Sequence, residues 1–477
     1  MNKKLFCHLL GRMALVMAVF LLVPFVSAWL NAEPGCKFLL LPPLAAGAVG
    51  FWAYRKGRRH KERVLNPEAA VYVVLSWLLL ILAGMLPYAV TGTLPFDGAF
   101  LQAAADATGA GIIVFSPSAA DSLFLWHAIL GWLGGANFLL LLVTMIPLAG
   151  GWFGLLLSFR QGLNFSPMVR QMDEVGKEVL LVYTSLTVFA ACLYWLAGMQ
   201  GRVAPIMAML TLSTAGGDVS HYLPSALTPV EKLAVAMVML IACGNFWRYW
   251  RTFRRRDWRD YYRNRELCIF CRVIIYMSVI MLVHLILTGN YRFLPELLFY
   301  VLSYASTTGF IMPDTPLWPE GELFLLLLLA LIGGTIGSPT GGLKILRFVT
   351  LIKLIGAEMK RTLHPHMLTG VVVDGESVPA ETGGRILAFF FVYCSSIFLF
   401  SLMLTLNDTT LSQAVGIAIG TFTGLGAAGG VCDVTVMQNL APGIKILTGL
   451  FMILGRTEIF ACLLIPEYLL HHREKQW

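Results

Sequence analysis

The sequence predicts an all-α polytopic membrane protein: four pseudo-repeated units, each a span, a re-entrant loop and a second span, arranged about one axis, plus two N-terminal spans. Three observations predict it. The first is composition. Of 477 residues, 57% are hydrophobic and 13% charged, about half the usual charged fraction, and the mean hydropathy is +0.74; a soluble globule is excluded. The second is a series of apolar windows of about 20 residues, including 70–90, 138–157 and 179–196, with 233–243 and 324–336 extended by their flanks. Ten spans are expected. The third is four small-residue loops with glycine third in each: Ala107-Thr108-Gly109-Ala110, Thr214-Ala215-Gly216-Gly217, Thr307-Thr308-Gly309-Phe310 and Gly424-Leu425-Gly426-Ala427. Their third-position glycines lie roughly 107, 93 and 117 residues apart, and such a period marks an internal repeat.

The N-terminal unit, residues 1–66, holds two spans and a basic loop. Lys3 and Lys4, the apolar stretch 13–26 and Val26-Ser27-Ala28 have the layout of a signal peptide, although Arg12 interrupts the early apolar run. Arg55, Lys56, Arg58, Arg59, Lys61 and Arg63 follow the second span; Arg248, Arg251, Arg254, Arg255, Arg256, Arg259, Arg263 and Arg265 follow the sixth. An even number of spans separates the clusters, so both fall on one side, and the positive-inside rule makes that side the cytoplasm. The stretches 160–177, 344–361 and 471–475 fall there too, so both termini are expected in the cytoplasm, whereas 313–322 carries Asp314, Glu320 and Glu322 and no base. The net charge of +8 therefore reads as topology and contact with anionic lipid headgroups. No nucleic-acid motif accompanies it.

The four units follow as 67–178, 179–266, 267–384 and 385–477. In each, a short amphipathic stretch (98–105, 205–212, 294–303 and 411–422) precedes the loop and has the length of a pore helix. Non-helical backbone at membrane depth survives only where protein buries it or water reaches it. Glycine lets such backbone turn its carbonyls toward an axis, and the dipole ends of the preceding helices favour a cation there. Four loops in register thus predict one central pore. Gly424-Leu425-Gly426-Ala427-Ala428-Gly429 also satisfies a dinucleotide-binding pattern, but it lies at membrane depth without a βαβ context. Cys268 and Cys271 form a single pair with no second pair to complete a zinc site; Cys36 and Cys432 can both face outside, with no distance to show pairing. His364 and His366, two apart, do not share a helical face.

The run 333–342, with five glycines and Pro339, cannot sustain a helix. Arg456 in the last span requires a water-filled path or a partner such as Glu458 or backbone carbonyls. Lys344 and Arg347 are expected to snorkel to the cytoplasmic surface.

Trp132-Leu133-Gly134-Gly135 followed by Pro147, Ser306-Thr307-Thr308-Gly309-Phe310, Gly333-Gly334 to Gly342-Leu343-Lys344, and Leu454-Gly455-Arg456-Thr457-Glu458 together resemble the TrkH-type membrane subunits of the Trk/Ktr/HKT superfamily of potassium transporters. The resemblance runs over nearly the whole chain. It implies a four-fold pseudosymmetric pore, a retained first span, a homodimer in the cytoplasmic (inner) membrane, and a separate cytoplasmic nucleotide-binding regulatory subunit. It implies potassium as the transported ion at Thr108, Gly109, Ala215, Gly216, Thr308, Gly309, Leu425 and Gly426. It further implies an intramembrane gate at Gly334, Gly337, Ser338, Pro339, Thr340 and Gly341 with Arg456. Pro339-Thr340, Asp218, Gly424 to Ala427 and Asp106 depart from the family pattern and bear on strict potassium selectivity. An ion-coupled potassium symporter, with proton or sodium as the coupling ion, and a less selective monovalent cation channel are the alternatives. No paired-carboxylate or nucleophile triad spacing points to an enzyme.

Overall fold

The computed structural model describes residues 3–57, 66–144, 172–223, 227–257, 259, 264–312, 318–364, 370–373, 376–425, 434–457 and 459. Gly426, Cys432, Glu458, His366 and Pro147 lie outside these, as do 58–63 and 471–475. Almost all of the described chain is helix; one small antiparallel hairpin pairs Val372–Val373 with Glu376–Ser377.

Helices α1 (Lys3–Leu30) and α2 (Leu41–Gly57) form a close pair. Glycine makes the approach possible: a Cβ on Gly11 would sit 2.5 Å from the Tyr54 amide nitrogen and one on Gly50 2.9 Å from that of Leu15. A span made of α3 (Asn66–Gly84) and α4 (Leu86–Val90) leads to the short α5 (Phe96–Thr108), a loop and α6 (Asp121–Thr144). The same order recurs with α7 (Met172–Ala197), α8 (Val203–Ser213) and α9 (Pro229–Ala242). After α10 (Phe246–Arg255) it recurs with α11 (Arg265–Leu287), α12 (Leu297–Ala305) and α13 (Glu320–Ile332). After α14 (Ile345–Leu363) come α15 (Ala380–Thr405), α16 (Leu411–Thr423), the single turn α17 (Val434–Asn439) and α18 (Pro442–Arg456).

Among the described residues, seven helices are long and apolar enough to cross a membrane, and α9 with α10 forms an eighth pair bent by 91°. In the second and third units the second helix is therefore not the continuous span expected from composition. Helix α13 stops at Gly333, whose φ is +68°, and α14 resumes only after Lys344. The elbow at Gly244 and Asn245 separates α9 from α10, and the Asn245 side chain caps α10 by accepting from the Arg248 amide at 3.1 Å.

Burial is arranged for an apolar solvent. In α11 only 22% of the span is buried, and Ile275, Val279 and Leu287 are exposed; α15 exposes Phe391, Phe398 and Leu399. The short helices α5, α8, α12 and α16 are instead enclosed, with Leu101, Ala103, Leu210, Val301, Ile417 and Ala418 fully buried. Spans such as α11 and α15 face outward with their apolar side chains, whereas α6 is 83% buried beside the enclosed short helices. The protein is an all-α, multi-pass membrane protein.

Candidate ion pathway

Each short helix ends on a residue with positive φ. In the first three segments a backbone amide then reaches five residues back. Gly109 (φ +75°), Thr214 (+55°), Thr307 (+54°) and Gly424 (+74°) occupy the left-handed position. Ala110 N–H donates to Ala105 O at 2.8 Å, Ala215 to Leu210 at 2.9 Å and Thr308 to Ser303 at 2.9 Å. This pattern corrects the register drawn from the loops alone. The residue equivalent to Gly216 and Gly309 is Gly111, not Gly109, and the pair equivalent to Thr308 and Gly309 is Ala110 and Gly111. Thr108 still belongs to α5, its hydroxyl donating to Ala104 O at 2.6 Å. A signal was present: Gly109-Ala110-Gly111 repeats the spacing of Gly424-Leu425-Gly426.

The four segments close into a ring in chain order. A Cβ on Gly111 would lie 2.7 Å from Gly216 O. Gly217 N–H donates to Gly309 O at 3.2 Å and Ile311 N–H to Gly217 O at 2.9 Å. A Cβ on Gly309 would lie 3.1 Å from Leu425 O, and one on Gly424 3.5 Å from Thr108 O. The fourth segment is described only as far as Leu425. At Gly111, Gly216 and Gly217 glycine is required by backbone approach, since a Cβ there would lie 2.7, 2.3 and 1.8 Å from a carbonyl oxygen of a neighbouring segment.

Against one side of this ring sits the loop 333–344, which touches the second, third and fourth segments and reaches the first through Arg456. Thr214 Oγ1 donates to Pro339 O at 3.1 Å, and Gly341 N–H donates to Thr307 Oγ1 at 2.9 Å. A Cβ on Gly341 would overlap Thr423 O. Arg456, buried at the end of α18, donates from Nε to Thr108 O and from Nη1 to Pro339 O, with Nη2 3.5 Å from Thr214 Oγ1. Its guanidinium thus ties the first segment to the loop through backbone carbonyls.

The loop is also held from inside and from behind. Ser338 Oγ and Thr340 Oγ1 are 2.7 Å apart, and Thr340 Oγ1 accepts from Gly334 N–H at 3.2 Å. Phe246 N–H donates to Gly337 O at 3.1 Å; Thr335 Oγ1 donates to Cys243 O at 2.6 Å; Ile336 N–H donates to the buried Glu266 carboxylate at 2.7 Å. Lys344 is 4% exposed, which overturns the expectation of snorkelling. Its Nζ donates to Ser338 O at 3.2 Å and to Thr340 O, and stands 5.6 Å from the Phe138 ring, whose centroid is 5.4 Å from the Arg456 guanidinium carbon. Arg347 is likewise buried, over the Phe389 ring at 4.6 Å. Sequence reasoning missed Lys344 because a lysine near a span end ordinarily reaches water; here an interrupted helix folds it back.

Asp106 stands behind the first segment. Its carboxylate accepts from Tyr88 Oη at 2.6 Å and Gln102 Nε2 at 2.6 Å, and lies 2.7 Å from His127 Nδ1. Asp218 is used locally, accepting from Ser220 N–H at 2.9 Å. Among the described residues no group of His, Cys, Asp and Glu is arranged to hold a metal ion through side chains.

Residues 289–473 match the TrkH family, described as a cation transport protein. The chain is 26% identical over 482 residues to the Trk system potassium uptake protein TrkH of Escherichia coli K12, with 98% of each covered. It is 27% identical to the TrkH of Vibrio parahaemolyticus over 96% of this chain and 97% of that one. It is 24% identical to TrkG of Escherichia coli K12, with 96% of each covered. The crystal structure of the potassium transporter TrkH from Vibrio parahaemolyticus has the same fold, with a TM-score of 0.87 and 98% of each chain covered at 23% identity. With a family profile matching its C-terminal part, relatives aligned from end to end and a shared fold, this chain is similar to the TrkH-type membrane proteins over nearly its whole length.

Proposed function

We propose that the chain takes up potassium across the cytoplasmic membrane through a channel-like pore. The closed ring of four loop segments is its filter and the loop 333–344 its gate. The observation that carries the reading is the joint arrangement: backbone of four enclosed loops meets at one place, and a non-helical loop bonded to the second and third, packed on the fourth and tied to the first through Arg456 covers one side of it. Carbonyls gathered around an axis replace the hydration shell of a monovalent cation. The filter oxygens belong to Ala110, Gly111, Ala215, Gly216, Thr308, Gly309, Leu425 and Gly426, with Thr108 and Gly109 on the gate side. The gate is made of Gly334, Gly337, Ser338, Pro339, Thr340 and Gly341, latched by Arg456 and Lys344. On this reading potassium is the substrate and no cofactor takes part. The chain works as a homodimer with both termini in the cytoplasm, where a separate nucleotide-binding subunit opens the gate.

The ionisable side chains nearest the ring are engaged in fixed contacts: Arg456 and Lys344 with carbonyls, Asp106 with Tyr88, Gln102 and His127. That favours passive permeation over coupled transport, which needs a group free to bind and release the coupling ion. The test is rubidium-86 uptake into proteoliposomes of the purified chain, with competing potassium, sodium or lithium. Block by potassium and not by sodium is expected; equal block by both would leave only the less selective cation channel.

A further inference from the structure

We propose that Asp106 is a positioning residue for ion selectivity: acting through Gln102, it fixes the backbone of residues 112–114, which continues the first segment. The inference rests on reading the ring as the filter.

Gln102 spans the gap between pore helix and extended backbone. Its Nε2 donates to Ile112 O at 2.9 Å and its Oε1 accepts from Val114 N–H at 2.8 Å. Both bonds form only if the amide faces one way, since a rotated amide would set donor against donor and acceptor against acceptor. Asp106 Oδ1 accepts from the same Nε2 at 2.6 Å and selects that orientation. The carboxylate is in turn held by Tyr88 from α4 and His127 from α6. Gln102, Asp106, Tyr88 and His127 are all buried, where a lost partner costs most. From the opposite side Gln438 Nε2 donates to Val114 O at 2.8 Å, so residues 112–114 are held by side chains on both sides.

The other segments show which part of this is particular to the first. Twelve residues separate Gln102 from Val114, and the same separation recurs where Met312 N–H donates to Tyr300 Oη at 3.3 Å. The position of Asp106, five before Gly111, is Thr211 before Gly216, and there Tyr194 Oη donates to Thr211 Oγ1 at 3.1 Å. Each tie exists elsewhere as a separate neutral hydrogen bond. In the first segment a carboxylate joins them, so that α4, α5 and α6 set the position of Ile112 and Val114 together. Carbonyls held at fixed separation discriminate ions of different radius; a loosened segment contracts around the smaller sodium ion.

The test is rubidium-86 uptake by purified full-length variants in proteoliposomes, reading sodium block relative to potassium block. Asp106→Ala and Asp106→Thr are expected to raise that ratio roughly threefold or more, the loss of about one buried hydrogen bond. Asp106→Asn is expected to restore it, because Asn keeps an acceptor for Gln102 and offers a donor to the Tyr88 oxygen. A merely structural role would lower thermal stability and total flux without moving the ratio. Should Asp106→Ala not fold, Tyr88→Phe and Gln102→Leu carry the same expectation, Tyr88→Phe more weakly. Unchanged ratios in these variants, while Gly111→Ser does shift the ratio, overturn the inference and leave the filter standing. If Gly111→Ser shifts nothing either, the filter reading fails and takes the inference with it.

Discussion

At the scale of single residues, two glycines two positions apart have different neighbours, and that separates their expected effects. A Cβ on Gly111 meets backbone of the second segment, with Gly216 O at 2.7 Å, whereas one on Gly109 meets the Arg456 Nη2 at 2.6 Å. Gly111→Ser is therefore expected to displace the ring and raise sodium passage relative to potassium. Gly109→Ser is expected to disturb the arginine latch and change the rate of rubidium uptake with the competition ratio retained. Uptake competition assays on both variants check this, and a selectivity change at Gly109 alone would contradict the register. The residues at 214–216 and 307–309 were legible in the sequence because Ser-Thr-x-Gly recurs there. The first segment was not, because Thr108-Gly109 imitates the Thr-Gly of the third while helix α5 runs through Thr108. Asp106 drew notice as a departure from the family pattern, and only its three partners show that it faces the supporting helices.

At the scale of elements, the interrupted helices are what make a gate geometrically available. Loop 333–344 takes the place of continuous helix between α13 and α14, and its freed backbone groups are recovered by Cys243, Phe246, Glu266, Arg456 and Lys344. The elbow between α9 and α10 is its outer support. Gly337 has φ +91° and a Cβ there would approach the Asn245 side chain at 2.7 Å. Gly337→Ala is expected to destabilise the protein by about 1–3 kcal/mol, read as a lower midpoint of thermal unfolding in detergent. Asn245→Ala in the same chain should recover part of that loss by removing the obstructing side chain; strict additivity of the two would show that the elbow does not bear on the loop. The glycine-rich run marked the break in the sequence. The bend of 91° did not announce itself, since α9 and the aromatic, arginine-rich α10 read as one span followed by a basic flank.

At the scale of the whole molecule, the outward apolar faces and enclosed short helices form a structure with its polar backbone at the centre, and the proposed transport mechanism rests on how that centre is wired. With the buried ionisable groups engaged, rubidium uptake in proteoliposomes is expected to follow an imposed membrane potential. At zero potential and zero potassium gradient, an imposed proton or sodium gradient is expected to drive none; uptake under those conditions would establish coupled transport instead. Much of this architecture was determined by the sequence alone. Hydropathy specifies a membrane solvent, and four glycine loops at comparable spacing state that a short helix and a turn recur. These are local or one-dimensional properties, set by transfer free energy and backbone freedom. What only the tertiary structure decided is which oxygen faces which neighbour: Gly111 opposite Gly216, Arg456 between Thr108 and Pro339, Lys344 folded into the loop beside it, and Asp106 gathered among Tyr88, Gln102 and His127. Those contacts join residues up to hundreds of positions apart. They arise because a buried charge or carbonyl at membrane depth takes whatever partner the packed helices bring within hydrogen-bonding distance.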